Sequence, residues 1–133
     1  MIISIDGNSI GKKLEWYIFS EALEELSVFS QSITDYLFKL KSIIETHGGT
    51  VYMCGGDNIL AYISNDKLNE LIRNINMVSP PSGVTFAIGL GETPSLALMA
   101  LTRRKSINDK FDNTVIMCAI ENNSIKFTTV EMR

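Results

Sequence analysis

The sequence predicts an α+β fold, a mainly antiparallel sheet with helices packed on it, as a single domain over residues 1–133. Three observations predict it. Six short apolar runs, at 1–6, 50–54, 59–63, 84–90, 115–120 and 125–130, have the length and β-rich composition of strands. Two pairs of these runs are separated by only four turn-forming residues, which makes each pair an antiparallel hairpin. Between the other runs the apolar spacing changes to the three-and-four rhythm of a helix.

Each element follows from its own residues. Residues 1–6 carry three isoleucines and read as a buried strand, which ends on Asp6 and breaks at Asp6-Gly7-Asn8-Ser9. A helical pattern runs from Ile10 to about Phe19. In the longer helix that follows, Phe29, Ile33, Leu37, Leu40 and Ile44 form one apolar stripe, stopped by Gly48-Gly49 after His47. Gly55-Gly56-Asp57-Asn58 joins the first hairpin. A third helix starts near Ser64-Asn65-Asp66, carries Leu68, Leu71, Ile72 and Ile75, and ends before Pro80-Pro81. After the strand at 84–90, Thr93-Pro94 places a cap and an N1 proline ahead of a helix running to about Ile107. Glu121-Asn122-Asn123-Ser124 joins the second hairpin. The order β-α-α-β-β-α-β-α-β-β contains a βαββαβ core of the ferredoxin-like or polymerase-palm type, with its helices expected on one face of the sheet.

Composition removes whole classes of function. Apolar residues are 45% and charged residues 20%, a globular rather than a disordered balance. The longest purely apolar run is six residues, so no membrane-crossing helix is expected. The opening Met1-Ile2-Ile3, with the first lysine at Lys12, lacks the basic start of a secretory signal, and a cytoplasmic location is expected. Cys54 and Cys118 each lie in an apolar run, as buried thiols do in a reducing compartment. Twelve basic against fifteen acidic residues give a net charge of −3, with no basic face broad enough for polymeric nucleic acid. One histidine and two separated cysteines make neither a zinc constellation nor a catalytic triad. Gly89-Leu90-Gly91 is too short for a dinucleotide fingerprint and marks a strand passing close to a helix or ligand.

Two carboxylates carry the chemistry. Asp6 closes the first strand, and Asp57 sits at the tip of the first hairpin. In a βαββαβ sheet the first strand is central and lies beside a hairpin strand, so both acids converge on one edge. Two such oxygen ligands suit Mg²⁺, which takes one or two protein carboxylates and completes its shell with phosphates and water. A two-metal arrangement would activate a sugar hydroxyl and stabilise leaving pyrophosphate. Singly, Asp-Gly-Asn is ordinary turn chemistry and Gly-Gly-Asp-Asn ordinary hairpin chemistry. Their joint placement argues for a site.

At these residues the chain resembles a known family. Ile5-Asp6-Gly7-Asn8 with Gly11-Lys12 is similar to the first palm motif of the large subunit of type III CRISPR effectors, commonly Asp-Gly-Asp-x-Met-Gly-Lys. Gly55-Gly56-Asp57-Asn58 is similar to the GGDD motif of that palm and to the GGDEF motif of diguanylate cyclases. In its short length the chain is similar to the stand-alone minimal CRISPR polymerases. The resemblance implies a GGDEF-like nucleotide cyclase that uses ATP or a related triphosphate with Mg²⁺ or Mn²⁺. Its product would be a cyclic dinucleotide or short cyclic oligonucleotide, read by a separate effector in antiviral defence. By motif position it implies Asp6 and Asp57 as metal ligands, with the Gly7 carbonyl as a third. Gly55 and Gly56 would admit the triphosphate, with Gly11 beside it. Asn8 and Asn58 stand where relatives carry a second Asp. Residues 100–105 resemble the pattern Ala-Leu-x-x-Ala-Lys, whose lysine contacts triphosphate oxygens; Lys105 takes that place and Arg104 replaces a small residue.

Several readings stay open beside it. Cations at the end of a helix complement its dipole and reach into solvent, which explains Arg103-Arg104-Lys105 equally well. Lys12 and Lys13 read as a solvated pair, and Tyr17, Phe19, Tyr52 and Tyr62 as core or dimer surface. Ring closure needs a second nucleotide of opposite polarity, which two identical palms about a two-fold axis present, so a homodimer is expected. The other functions compatible with the scaffold are a degenerate palm that holds a nucleotide as a sensor, and a nucleotide hydrolase similar to the archaeal GTP cyclohydrolases.

Overall fold

The computed structural model describes residues 1–107 and 115–130. The elements follow the predicted order: β1 (Ile2–Gly7), α1 (Ile10–Phe19), α2 (Leu23–Thr46), β2 (Thr50–Gly55), β3 (Asn58–Tyr62), α3 (Leu68–Asn76), β4 (Phe86–Gly91), α4 (Pro94–Ser106), β5 (Val115–Glu121) and β6 (Ser124–Val130). They build one six-stranded sheet in the order β2-β3-β1-β4-β5-β6. β1 lies between β3 and β4 and is antiparallel to both, while β4 and β5 run parallel. The first four strands thus form the predicted βαββαβ core.

Local chemistry accounts for most boundaries. Gly56 takes φ +60 at the first of the two residues between β2 and β3, where a II′ hairpin turn demands it. Asn122 and Asn123, at φ 51 and 60, give the second hairpin the paired left-handed conformations of a I′ turn. The Thr93 hydroxyl accepts from the Leu96 amide and caps α4 ahead of Pro94. Two predicted starts move. A backbone bond from Lys67 to Ser64 tightens Asn65–Lys67 into one 3₁₀ turn before α3. A bond from the Val84 amide to the Pro81 carbonyl holds Val84 in a turn, so β4 begins at Phe86.

The stripe on α2 is buried along its whole length, from Phe29 to Ile44. It packs with Ile3 and Ile5 of β1, Ile59 and Ala61 of β3, and Leu71, Ile72 and Ile75 of α3 in one core. His47 ties α2 to α3. Its Nε2 receives the Asn74 amide at 3.0 Å, which leaves the proton on Nδ1 to donate to the Ile43 carbonyl at 2.7 Å. Of the four aromatics expected in a core or a dimer surface, Tyr17 packs against Phe29, whereas Phe19, Tyr52 and Tyr62 are exposed. Cys118 is buried and Cys54 half-buried, both as free thiols. Among the described residues no helix is long and apolar enough to cross a membrane.

The helices are not confined to one face, which corrects the expectation above. α2 and α3 cover the face of Ile3, Ile5, Ile88 and Leu90, while α4 lies on the opposite face over a smaller core of Leu96, Ala100, Ile116 and Cys118. The reason lies in the alternation along β4. Ile88 and Leu90 fill the core under α2, and Gly89 and Gly91 offer bare backbone to the other side. A methyl group on Gly89 would stand 2.6 Å from the Ala97 carbonyl oxygen and 2.8 Å from the Leu101 Cα. The two glycines are the seat of α4, the close passage that Gly-Leu-Gly marks in the sequence. Gly89→Ala is therefore expected to destabilise the fold by about 1–3 kcal/mol. Gly55→Ala, with no described atom within 4 Å of the added carbon, is expected to change it by less than about 0.5 kcal/mol. Urea midpoints of the two variants check this.

Candidate active site at the edge of β1 and β3

The register of the central pair builds the site. Ile5 faces Ile59 across the ladder and Asp6 faces Asn58, and the Gly7 amide then donates to the Asp57 carbonyl at 3.0 Å. That last bond brings the end of β1 against the hairpin tip. Gly7 is needed there. An added Cβ would lie 3.4 Å from the Asp57 Cβ, 3.1 Å from the Ile10 Cδ1, and closer still to the Ile10 Cγ1. The turn beyond is anchored by Asn8, whose amide nitrogen and side chain donate to the carbonyl and hydroxyl of Thr85 at 2.9 and 3.0 Å.

Asp6 and Asp57 meet as the sequence predicts. Burial first, then the charge of Asp6 and a hydrogen bond between the two carboxyl groups, raise the Asp57 pKa above the ordinary carboxylate range; Lys105 acts in the opposite sense. Lys105 arrives from the last turn of α4. Its Nζ forms an ion pair with Asp6 Oδ2 and donates to the Gly7 carbonyl oxygen at 3.2 Å. Asn58 Oδ1 is buried without a hydrogen-bond partner among the described residues.

Two clefts open at this edge, one on each side. One of about 360 Å³ is lined by Ser4, Asp6, Asn58, Ser95 and Leu98. The other, of about 270 Å³, is lined by Gly11, Ser30, Thr34, Gly56 and Asp57. No described atom lies within 4 Å of where a side chain would begin at Gly11, Gly55 or Gly56, so the hairpin tip presents bare backbone.

These residues fit a divalent cation. An ammonium already rests on the Asp6 carboxylate and the Gly7 carbonyl, a second carboxylate stands beside them, and an unpaired amide oxygen is buried next to Asp6. Among the described residues no three His, Cys, Asp or Glu side chains cluster as a metal site. Mg²⁺ asks for only one or two carboxylates when a phosphate substrate supplies the rest.

The remaining sequence candidates separate. Arg104 is 3% exposed and lies on the sheet-facing stripe of α4 with Ala97 and Ala100, away from solvent. Arg103 stacks over Phe127, and Lys13 over Phe29, which gives half of the expected solvated pair a ring contact. Burial pushes the Cys54 and Cys118 thiols up, so neither is a poised nucleophile. Sequence reasoning missed Ser4, Ser30, Thr34 and Thr85. Ser4 was findable, being two positions before Asp6 on the same face of a strand. Ser30 and Thr34, four apart beside the α2 stripe, were findable in the same way. Thr85 carries no local signal.

A sheet in the order β2-β3-β1-β4 with paired carboxylates on the edge of its first strand and first hairpin defines the class: a domain of the polymerase-palm type. The model of the minimal CRISPR polymerase domain matches residues 2–116, and the chain belongs to that family. It is also similar to the crystal structure of the guanylyl cyclase Cya2, at 16% identity and a TM-score of 0.40. That match covers 98% of this chain and 62% of the other, so this chain spans less than two thirds of the length of that structure. No curated protein matches the chain.

The raised pKa of Asp57 has a definite sign for stability. The folded state binds this proton more tightly than the unfolded chain does. The stabilising contribution is therefore complete below the unfolded value of about 3.9 and is lost as pH rises through the folded value. In chelator-treated buffer, Asp57→Asn is expected to be more stable than wild type at pH 7, with the gap closing as pH falls through the raised folded value and closed by about pH 4. Urea titrations across that range measure it.

Proposed function

We propose that this protein is a metal-dependent nucleotidyltransferase that joins nucleoside triphosphates, ATP first among them, into a cyclic dinucleotide or short cyclic oligonucleotide. A separate effector would read the product in antiviral defence. Family membership supports the reading, and one observation carries it. Asp6 and Asp57 converge at a bare glycine hairpin with a cation already bridging Asp6 and the Gly7 carbonyl.

Asp6, Asp57 and the Gly7 carbonyl would hold Mg²⁺ or Mn²⁺, with the Asn58 amide oxygen within the same edge. The ion would neutralise triphosphate charge and favour the alkoxide of the attacking hydroxyl. The chain's own part is positioning. Gly55, Gly56 and Gly11 leave room for the triphosphate backbone, and the cleft beside Asp57 offers a base the hydroxyls of Ser30 and Thr34. A ribose hydroxyl oxygen of one nucleotide bonds to the α-phosphorus of another, the bond to the β-phosphate breaks, pyrophosphate leaves, and the hydroxyl proton passes to solvent. A second such step closes the ring. Holding both reactants in line supplies much of the rate. One edge presents one nucleotide, so a second copy related by a two-fold axis supplies the facing one.

One observation favours a second reading, a palm that binds a nucleotide without turning it over. Asn8, where relatives carry an acid, spends its amide on Thr85 rather than on the site. A single experiment separates the two: incubation with each of four nucleoside triphosphates and Mn²⁺, followed by mass spectrometry of the products. A linear or cyclic dinucleotide supports transfer, bound but intact triphosphate supports the sensor, and a ring-opened or dephosphorylated monomer supports a hydrolase.

Asp57→Ala is expected to abolish product while leaving the fold intact, because truncation at a hairpin tip removes no core volume. Near-normal turnover in that variant at saturating metal would sink the reading. Specific activity is expected to rise with protein concentration while the protein is dilute. Adding Asp57→Ala to wild type should lower activity by more than dilution. Flat specific activity down to concentrations where sedimentation shows monomer alone would remove the facing-palm arrangement.

A further inference from the structure

We propose that Lys105 is the resident cation of this site and that a divalent metal ion enters by displacing it. The proposal rests on the reading of Asp6, Gly7 and Asp57 as metal ligands. Its own ground is the contact set of the ammonium. Lys105 Nζ touches Asp6 Oδ2 and the Gly7 carbonyl oxygen, a side-chain and a main-chain donor from consecutive residues at the end of β1. Those are two of the three oxygens a metal would use. The lysine thus stands on the ligand set itself.

Charge and reach make exchange the natural outcome. Two carboxylates carry at most two negative charges, and one ammonium neutralises half of that. A divalent ion matches the pair in full. With Lys105 still in place, three positive charges would face two negative ones and compete for the same lone pairs. The lysine is free to leave. Its side chain is 34% exposed, it ends a four-carbon stem, and its three donors find two partners here. A withdrawn ammonium stays within a side chain's length of the edge, where a triphosphate brings surplus negative charge. The lysine would then serve as counter-ion before metal entry and as a phosphate contact after it. A triphosphate that offers Lys105 a new partner lowers the penalty of displacement. Metal and nucleotide therefore each raise the affinity of the other, as linkage requires. Such a site takes metal with nucleotide in preference to metal alone.

Mn²⁺ binding in the absence of nucleotide, followed by calorimetry, tests the exchange without reference to turnover. Lys105→Met is expected to bind Mn²⁺ about tenfold more tightly than wild type, the lower end of what a charge-assisted hydrogen bond contributes. Arg103→Met removes the same charge from the same helical turn, at an exposed side chain that stacks on Phe127, and should stay within about twofold of wild type. Asp6→Asn should weaken binding in either background. Equal affinity in wild type and Lys105→Met, with Asp6→Asn still damaging, would overturn the exchange and leave the metal reading standing. Equal tightening by both charge removals would also overturn it, since net charge would then suffice. Mn²⁺ binding indifferent to Asp6→Asn would remove the metal reading and the exchange together. In wild-type protein carrying ¹³C-lysine, Mg²⁺ should move the Lys105 Cε resonance toward that of a solvated lysine. A resonance that stays fixed at saturation overturns the proposal even where the variant fails to fold.

Discussion

The pairing of β1 with β3 is the constraint on which the site depends. Alternation along β1 sends Ile3 and Ile5 into the core beneath α2 and leaves Ser4 and Asp6 on the opposite face. A slip of one residue in the ladder would drive Asp6 into that core and bring Ile5 out beneath α4. The isoleucines forbid it, being fully buried. The hairpin must then end where it does, because Asp6 stands opposite Asn58 and the Gly7 amide seeks the Asp57 carbonyl. Two carboxylates that repel each other are brought together by a strand register that buried apolar residues fix.

Much of the fold was legible because its signals are local. The α2 stripe is a periodic pattern over several turns, and tertiary packing had no reason to override it. The two hairpins declare themselves through residues that accept left-handed backbone, Gly56 in one and Asn122 with Asn123 in the other. The side of the sheet that α4 occupies was not legible. Its own apolar pattern says that it packs on a sheet and not on which face. That choice belongs to β4, where the glycines decide it only after α2 and α3 have claimed the other side.

The site divides along the same line. Asp6 and Asp57 could be placed together because a strand end and the next hairpin tip have a fixed relation in a βαββαβ sheet. Lys105 could be singled out as a cation near the site, yet its partner could not. The contact with Asp6 spans 99 positions and depends on a long side chain and on the face chosen by α4. Arg104 shows the converse. Adjacent in sequence and equal in charge, it is carried by about 100° of helical rotation into the interface that Lys105 leaves. Only a helix placed on its sheet distinguishes the two.

The seat beneath α4 gears packing to charge. Gly89 and Gly91 set how deep the helix lies, and a helix of this length is a rigid rod. Lys105 sits one turn beyond Leu101, which rests on the seat. Anything that lifts the rod at its middle tilts the ammonium at its end. The electrostatics of the carboxylate pair can therefore be retuned from a buried apolar seam, with no change in the count or kind of charged residues. Silent repacking in the interior and graded control of a charged edge are, in this chain, one mechanical variable.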